Sequence, residues 1–134
     1  VEPVATFSHC YGSPFMPHRP TVYSNLLFEK IKSHKVKCWL VNTGWTGGPY
    51  GTGKRMPISA TRDIIRLIHN GDLAKEEYAQ HSYTGLKIPT KAPGISTDLL
   101  NPERTWANIE DYKERVRELL KKFDKQYQTM NIAL

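Results

Sequence analysis

The sequence predicts a mixed α/β fold, and three adjacent features support that prediction. Residues 36–41 have the length and the β-branched and aromatic content of a buried strand. Five glycines between Gly44 and Gly53 follow this run and let the backbone turn sharply. Apolar residues then recur at helical spacing over residues 59–70. A strand, a loop and a helix in this order favour an α/β layer with a mixed or parallel sheet.

Other elements follow from the same signals along the chain. Residues 4–7 are predicted to form a short strand. Residues 21–33 are predicted to form a helix, because apolar positions recur at helical spacing and Pro20 stands where a helix begins. Residues 72–102 are only weakly periodic, and 84–88 is their one candidate strand.

The last helix has the clearest pattern in the sequence, and Asn108 is its predicted N-cap. Its predicted role is packing, with no chemistry of its own. The apolar stripe consists of Ile109, Tyr112, Val116, Leu119, Leu120, Phe123 and Tyr127.

Length and composition restrict the class of protein. A chain of 134 residues is long enough for one modest core, so we expect a single domain portion over 1–134 with no internal boundary. No apolar run approaches the roughly 20 residues that span a bilayer, so no membrane partner is expected. The net charge of +6 suits an anionic partner. Nucleic acid is not expected, since no aromatic and basic platform accompanies the charge.

The glycine-rich loop ends in two cations, Lys54 and Arg55, which suits a polyphosphate ligand. Residues 48–54 match the first part of a P-loop, but Arg55 stands where a P-loop has the Ser or Thr that binds magnesium. Pro49 also lacks an amide hydrogen. A glycine-rich turn between a strand and a helix is the alternative. Lys54 is compatible with a phosphate contact or with an ion pair to a carboxylate.

Several other residues invite a functional interpretation that their spacing does not favour. Cys10 and Cys38 lack metal-ligand spacing, and we expect both to be reduced and buried. Three aromatic residues bracket the central loop, and core packing is favoured over base stacking for Trp39, Trp45 and Tyr50. The five histidines are scattered, so no metal site is predicted, and each is expected at the surface or in a loop: His9, His18, His34, His69 and His81.

Longer motifs resemble a known family. Residues 39–45 read Trp-Leu-Val-Asn-Thr-Gly-Trp, followed by Gly-Thr-Gly-Lys-Arg at 51–55 and Ile-Ser-Ala-Thr-Arg at 58–62. Together with residues 2–15 upstream and the Leu-Lys-Ile-Pro motif at 86–89 downstream, these resemble the C-terminal segment of the ATP-dependent phosphoenolpyruvate carboxykinases. The resemblance extends to about Phe123.

The resemblance implies the C-terminal part of a mononucleotide-binding carboxykinase domain. That family converts oxaloacetate and ATP to phosphoenolpyruvate, carbon dioxide and ADP in gluconeogenesis, and it uses Mg²⁺ and Mn²⁺. Its P-loop and metal ligands lie upstream of the matched segment, so neither catalytic nor metal-binding residues are implied here. What it does imply is an adenosine contact at three positions: Arg55 beside the nucleotide, Met56 against the base and Thr61 as a polar contact.

The chain is therefore expected to be a fragment that is inactive alone, with ATP and oxaloacetate as substrates of the complete enzyme. The alternative is a non-catalytic nucleotide-binding or interaction module that retains this segment only. A cytoplasmic location is expected. The oligomeric state cannot be read from these residues.

Overall fold

A computed structural model describes residue 4, residues 6–8 and residues 12–132. Its helices are α1 (Pro20–His34), α2 (Ile58–His69), α3 (Thr97–Leu100) and α4 (Ile109–Ile132). Its strands are β1 (Trp45–Thr46), β2 (Lys54–Arg55), β3 (Tyr78–Gln80) and β4 (Lys87–Pro89). Short 3₁₀ turns lie at Ser13–Phe15, Leu73–Lys75 and Pro102–Thr105.

The described strands form two separate antiparallel pairs. In the first pair Trp45 lies opposite Arg55, and in the second Tyr78 lies opposite Pro89. The mixed α/β content is confirmed, but the predicted mixed or parallel sheet is wrong. Each pair is joined by a short connection, whereas a parallel pair requires a crossover of a dozen or more residues.

Residues 36–41 are not a strand, so this prediction is wrong. They have no regular structure and pair with no described strand, and the side chains of Val36 and Leu40 are exposed. An apolar, β-branched run becomes a strand only when another strand satisfies its backbone groups. The predicted strand at 4–7 is wrong for Val4, Thr6 and Phe7, which lie in no strand, while Ala5 lies outside the described residues.

The helix predictions are confirmed to within a few residues. α1 begins at Pro20, as its missing amide hydrogen allows, and α2 begins one residue before the predicted start. Asn108 caps α4 as predicted, since its Oδ1 accepts a hydrogen bond from the Glu110 amide at 2.9 Å. None of the described helices combines the length and apolar character that crossing a bilayer requires.

The chain divides into two compact units. One contains the described residues of 4–41 together with 122–132, and the other contains residues 42–121. In the first unit the rings of Phe7 and Phe123 meet edge to face at 5.5 Å, and α1 buries none of its residues. The prediction of a single domain portion without an internal boundary stays a prediction.

The buried core of the described residues lies in the second unit. Its members come from α2, from the segment between α2 and α3, and from the first half of α4. They are Ala60, Leu67, Leu73, Ala92, Ile95, Tyr112 and Val116. The predicted stripe on α4 is therefore buried at Tyr112 and Val116, whereas Phe123 and Tyr127 remain exposed.

His81 is also buried, and it lies in the loop between β3 and β4, which the expectation of a surface or loop position includes. Its Nδ1 lies 2.8 Å from the Thr84 hydroxyl oxygen and 3.3 Å from the Thr84 amide nitrogen, and its Nε2 lies 2.7 Å from the Tyr112 hydroxyl oxygen. Glu103 Oε1 lies 3.9 Å from the same Nε2. The imidazole thus joins the 81–84 turn to α4 through the core.

Burial raises the pKa of Tyr112 to about 12, with the charges of Glu103 and Tyr83 adding to the effect. The tyrosine is ionised in the unfolded chain above pH ~10, but in the folded chain only near pH 12. The stabilisation due to its protonated form is therefore complete below pH ~10 and is lost as pH rises toward 12.

We expect the difference in free energy of unfolding between the wild-type chain and Tyr112→Phe to shrink as pH rises from about 10 to about 12. Urea titrations at several pH values measure this difference. Tyr127→Phe, at an exposed position on the same helix, is the matched control. A difference for Tyr112→Phe that stays constant over this pH range contradicts the assignment.

Candidate functional site

The glycine-rich stretch folds into a hairpin, here called the glycine hairpin, made of β1, the loop 47–53 and β2. The backbone amides of Thr52 and Gly53 both donate to the Pro49 carbonyl oxygen, at 3.1 and 2.8 Å. The Gly53 backbone lies so close to Gly48 that a Cβ at position 53 would overlap the Gly48 carbonyl group. Closure of the loop therefore requires glycine at position 53.

This geometry does not support a P-loop. A P-loop points successive amides at phosphate oxygens, but two of the amides here are directed at Pro49. The loop also leads into β2 before α2 begins, so it is a hairpin loop and not a direct strand-to-helix connection.

Arg55 lies over an aromatic side chain of the same hairpin. Its guanidinium carbon is 5.6 Å from the centroid of the Trp45 ring, within range of a cation–π interaction. Tyr50 meets Trp45 edge to face at 5.5 Å. Trp45 is 43% exposed and Tyr50 is 48% exposed, so the expectation that they pack in the core is wrong for both. They form an exposed aromatic surface beside Arg55.

Met56 directly follows the hairpin, and Thr61 lies in the first turn of α2. The Met56 amide donates to the Gly44 carbonyl oxygen at 3.0 Å, which leaves its carbonyl group and side chain to contact a ligand. The Thr61 hydroxyl donates to the Pro57 carbonyl oxygen at 3.3 Å, so its oxygen keeps acceptor capacity. Pro57 provides no side-chain cap, and the first amides of α2 are not capped by a side chain.

The two cations at the end of the loop differ in their contacts. Lys54 is exposed and forms no ion pair with a carboxylate of the described residues. Arg55 also forms no such ion pair, but Trp45 holds it in place. Lys54 was compatible with a phosphate contact or with an ion pair to a carboxylate. The ion pair is wrong for every carboxylate in the part of the chain that the structure describes.

A cleft of about 340 Å³ lies between the loop of the glycine hairpin and α4. It is lined by the carboxylates of Asp111, Glu114 and Glu118, and its one lining cation, Arg115, is paired with Glu118 at 3.1 Å. The excess of negative charge disfavours a phosphate group on this side. The positive charge of Arg55, which pairs with no described carboxylate, lies at the opposite end of the hairpin, where β2 leads into α2.

The remaining candidates that the structure describes contribute no site. Cys38 is a free thiol and is exposed, so the expectation of burial is wrong for it. The other side chains of the 36–41 segment are exposed as well, except that of Trp39, which is half-buried. His18, His34 and His69 are exposed as expected. Cys10 and His9 lie outside the described residues. Among the residues that are described, no group of three or more His, Cys, Asp and Glu side chains is placed to hold a metal ion.

Comparison with known proteins identifies the family. The family model described as phosphoenolpyruvate carboxykinase matches residues 1–98 of the chain. This chain belongs to the phosphoenolpyruvate carboxykinase family. The family resemblance seen in the Trp39 to Arg62 motifs is thereby confirmed.

Curated relatives in this family carry the description phosphoenolpyruvate carboxykinase (ATP). The chain is 49% identical over 127 residues to the carboxykinase of Ruegeria sp. and, over the same length, 49% identical to that of Roseobacter denitrificans. It is 49% identical over 122 residues to that of Allorhizobium ampelinum. These matches cover 95%, 95% and 91% of this chain, but only 24%, 24% and 23% of the relatives. The chain thus spans about a quarter of the length of the carboxykinases it matches.

Two contacts around the hairpin are not evident from the carboxykinase motifs. The pairing of Trp45 with Arg55 depends on an antiparallel register that the glycine spacing does not specify. Thr105 contacts the hairpin from 58 residues away in sequence, and no local pattern marks it. For the contact between Trp45 and Arg55, the sequence offers one signal: an aromatic residue precedes the glycine-rich loop and a basic residue follows it.

Gly53→Ala is expected to destabilise the second unit by roughly 1–3 kcal/mol, because the new methyl group forces the hairpin backbone apart. Thr52→Ala, an exposed position in the same loop, is the control. Urea unfolding measures both. If Gly53→Ala is no more destabilising than Thr52→Ala, the close approach of Gly48 and Gly53 does not constrain the hairpin.

Proposed function

We propose that this chain supplies the adenosine side of the ATP site in an ATP-dependent phosphoenolpyruvate carboxykinase. The reaction of that enzyme converts oxaloacetate and ATP to phosphoenolpyruvate, carbon dioxide and ADP. Membership of the family and the high identity to its ATP-dependent members support the proposal. In this proposal the chain contributes nucleotide binding and no catalytic residue.

The observation on which the proposal rests is the state of Arg55. Its guanidinium is positioned over Trp45, yet no described carboxylate neutralises it. A planar cation held in this way loses little side-chain freedom on binding and presents its N–H donors to an anion. The uncapped first turn of α2 begins three residues later and adds amide donors and the positive end of a helix dipole.

Thr61 and Met56 are suited to contact the base. Because the Thr61 hydroxyl hydrogen is engaged with Pro57, its oxygen is available to accept a hydrogen bond from an exocyclic amine such as that of adenine. Guanine has a carbonyl oxygen at the same position, which would face the lone pairs of Thr61. Met56 is half-buried and offers an apolar, adaptable side chain to the ring.

The described residues do not fit the divalent metal ions of the family, since they include no cluster of ligands. In the proposal, Mg²⁺ and Mn²⁺ are therefore held by other parts of the enzyme, together with the phosphate-binding loop. Phosphoryl transfer depends on those groups. Oxaloacetate is likewise assigned to the rest of the enzyme, and a cytoplasmic location remains a prediction.

A chimaera tests the nucleotide role of Arg55. In the chimaera this chain replaces the matching 127-residue stretch of the Ruegeria sp. carboxykinase. Arg55→Ala is expected to raise the KM for ATP by roughly 10- to 150-fold, the cost of one charge-assisted contact of about 1.5–3 kcal/mol. The KM for oxaloacetate should stay within about twofold of its original value.

Arg117→Ala is the control for net charge, because Arg117 is exposed on α4 and forms no described ion pair. An unchanged KM for ATP in a folded, active Arg55→Ala chimaera removes the proposed role. A chimaera that binds ATP without turnover supports instead a non-catalytic nucleotide-binding module.

The same chimaera tests base recognition. Thr61→Val is expected to raise the KM for ATP less than Arg55→Ala does, by about 2- to 13-fold, as for one neutral hydrogen bond. It should also narrow the preference for ATP over GTP, because the acceptor that disfavours guanine is gone. Steady-state kinetics with both nucleotides measure this ratio. If the preference for ATP over GTP is unaltered in Thr61→Val, Thr61 does not discriminate between the two bases.

A further inference from the structure

Thr105 holds the glycine hairpin from outside it. This threonine ends the 3₁₀ turn Pro102–Thr105, and its hydroxyl oxygen accepts a hydrogen bond from the Gly47 amide at 3.1 Å. The Thr46 hydroxyl donates to the same oxygen at 3.0 Å. Both contacts are partly buried and join positions that are 58 and 59 residues apart in sequence.

The Thr105 hydroxyl is fully used in this position. Its hydrogen is donated to the Pro102 carbonyl oxygen at 2.8 Å, and its two lone pairs receive the Gly47 and Thr46 donors. The bond to Pro102 fixes the rotamer of Thr105, so both acceptor directions are fixed as well. An aliphatic side chain of the same shape cannot make any of these three bonds.

The turn that carries Thr105 is itself anchored. Asn101 Oδ1 accepts a hydrogen bond from the Glu103 amide at 3.0 Å at the start of the turn. On the hairpin side, Gly47 has a φ of +78°, and a Cβ there would meet the Thr105 carbonyl oxygen at 3.0 Å. Glycine at position 47 thus permits the close approach, and the hydroxyl of Thr105 fixes it.

The contact lies next to the proposed nucleotide site. Thr46 pairs with Lys54, and the neighbouring Trp45 pairs with Arg55 and supports its guanidinium. Fixing Thr46 and Gly47 therefore fixes the strand on which the Arg55 side chain rests. A two-stranded hairpin is marginally stable alone in water, so the bonds to Thr105 add to the closure of the loop in fixing the orientation of the two strands.

We propose that Thr105 is a positioning residue for nucleotide binding, which sets the place of Arg55 through the glycine hairpin. This proposal rests on the proposed function of Arg55. Thr105 does not contact the nucleotide in this account. It acts through β1, so its effect should fall on ATP and not on oxaloacetate.

Three variants separate positioning from general stability. Thr105→Val keeps the shape and removes the hydroxyl, and Thr105→Ser keeps the hydroxyl. Thr90→Val is the control for loss of a threonine hydroxyl away from the hairpin, because it removes the bond from Thr90 Oγ1 to the Glu77 carbonyl oxygen at 3.2 Å. Thr105→Val removes three bonds, all of them at or beside the hairpin.

Two measurements are made on each variant. In the 134-residue chain, hydrogen exchange at the Met56 amide reports on the hairpin, because this amide bonds to Gly44 and does not touch Thr105. In the chimaera, steady-state kinetics give the KM for ATP. Thr105→Val is expected to increase the exchange rate of the Met56 amide by about 3- to 10-fold. It is expected to raise the KM for ATP by about the same factor, roughly 3- to 10-fold. Thr105→Ser and Thr90→Val should change each by less than about twofold.

The outcomes separate this proposal from the one on Arg55. Unchanged Met56 exchange in Thr105→Val shows that the hairpin does not depend on Thr105 and overturns the proposal. A raised KM in Arg55→Ala with an unchanged KM in Thr105→Val also overturns it, while leaving the role of Arg55 intact. If Arg55→Ala itself leaves the KM unchanged, the proposed function fails, and the positioning role fails with it. A rise in the KM for ATP with Thr105→Val and its rescue by Thr105→Ser support it.

Discussion

The close approach of Gly48 and Gly53 is the constraint on which the candidate site depends. A side chain at position 53 would overlap the Gly48 carbonyl group, so the loop closes only with glycine there. Closure brings β2 beside β1 and sets Arg55 opposite Trp45. The guanidinium is then held by an aromatic ring in place of a carboxylate, and its charge remains available to a ligand. Local backbone geometry thus determines the chemistry that the hairpin can offer.

The sequence predicted helices better than strands, and the reason is physical. The signals for α2 and the Asn108 cap of α4 are local, since helical hydrogen bonds form within the segment. Residues 36–41 have strand composition, but strand formation depends on a partner elsewhere, and none of the described strands pairs with them. The antiparallel β3–β4 pair lay in a stretch whose periodicity is weak, so only part of β4 was predicted.

Residue identity indicated part of the site, and three-dimensional contacts provided the rest. The glycines and Arg55 stand out in the sequence, and the family motifs point to the same residues. The sequence did not indicate that Trp45 would support Arg55, or that Thr105 would fix Gly47, because both contacts arise from folding. The burial of His81 was not predicted either, because it depends on Tyr112, 31 residues away.

The central claim is that adenosine binds where the glycine hairpin meets α2, and photolabelling tests it most directly. The active chimaera is irradiated with 8-azidoadenosine triphosphate, and the modified residue is located by mass spectrometry. The account predicts that label falls within residues 45–61 and that excess ATP, but not oxaloacetate, prevents it. Label confined to the acidic cleft along α4, or to parts of the chimaera outside this chain, would contradict it.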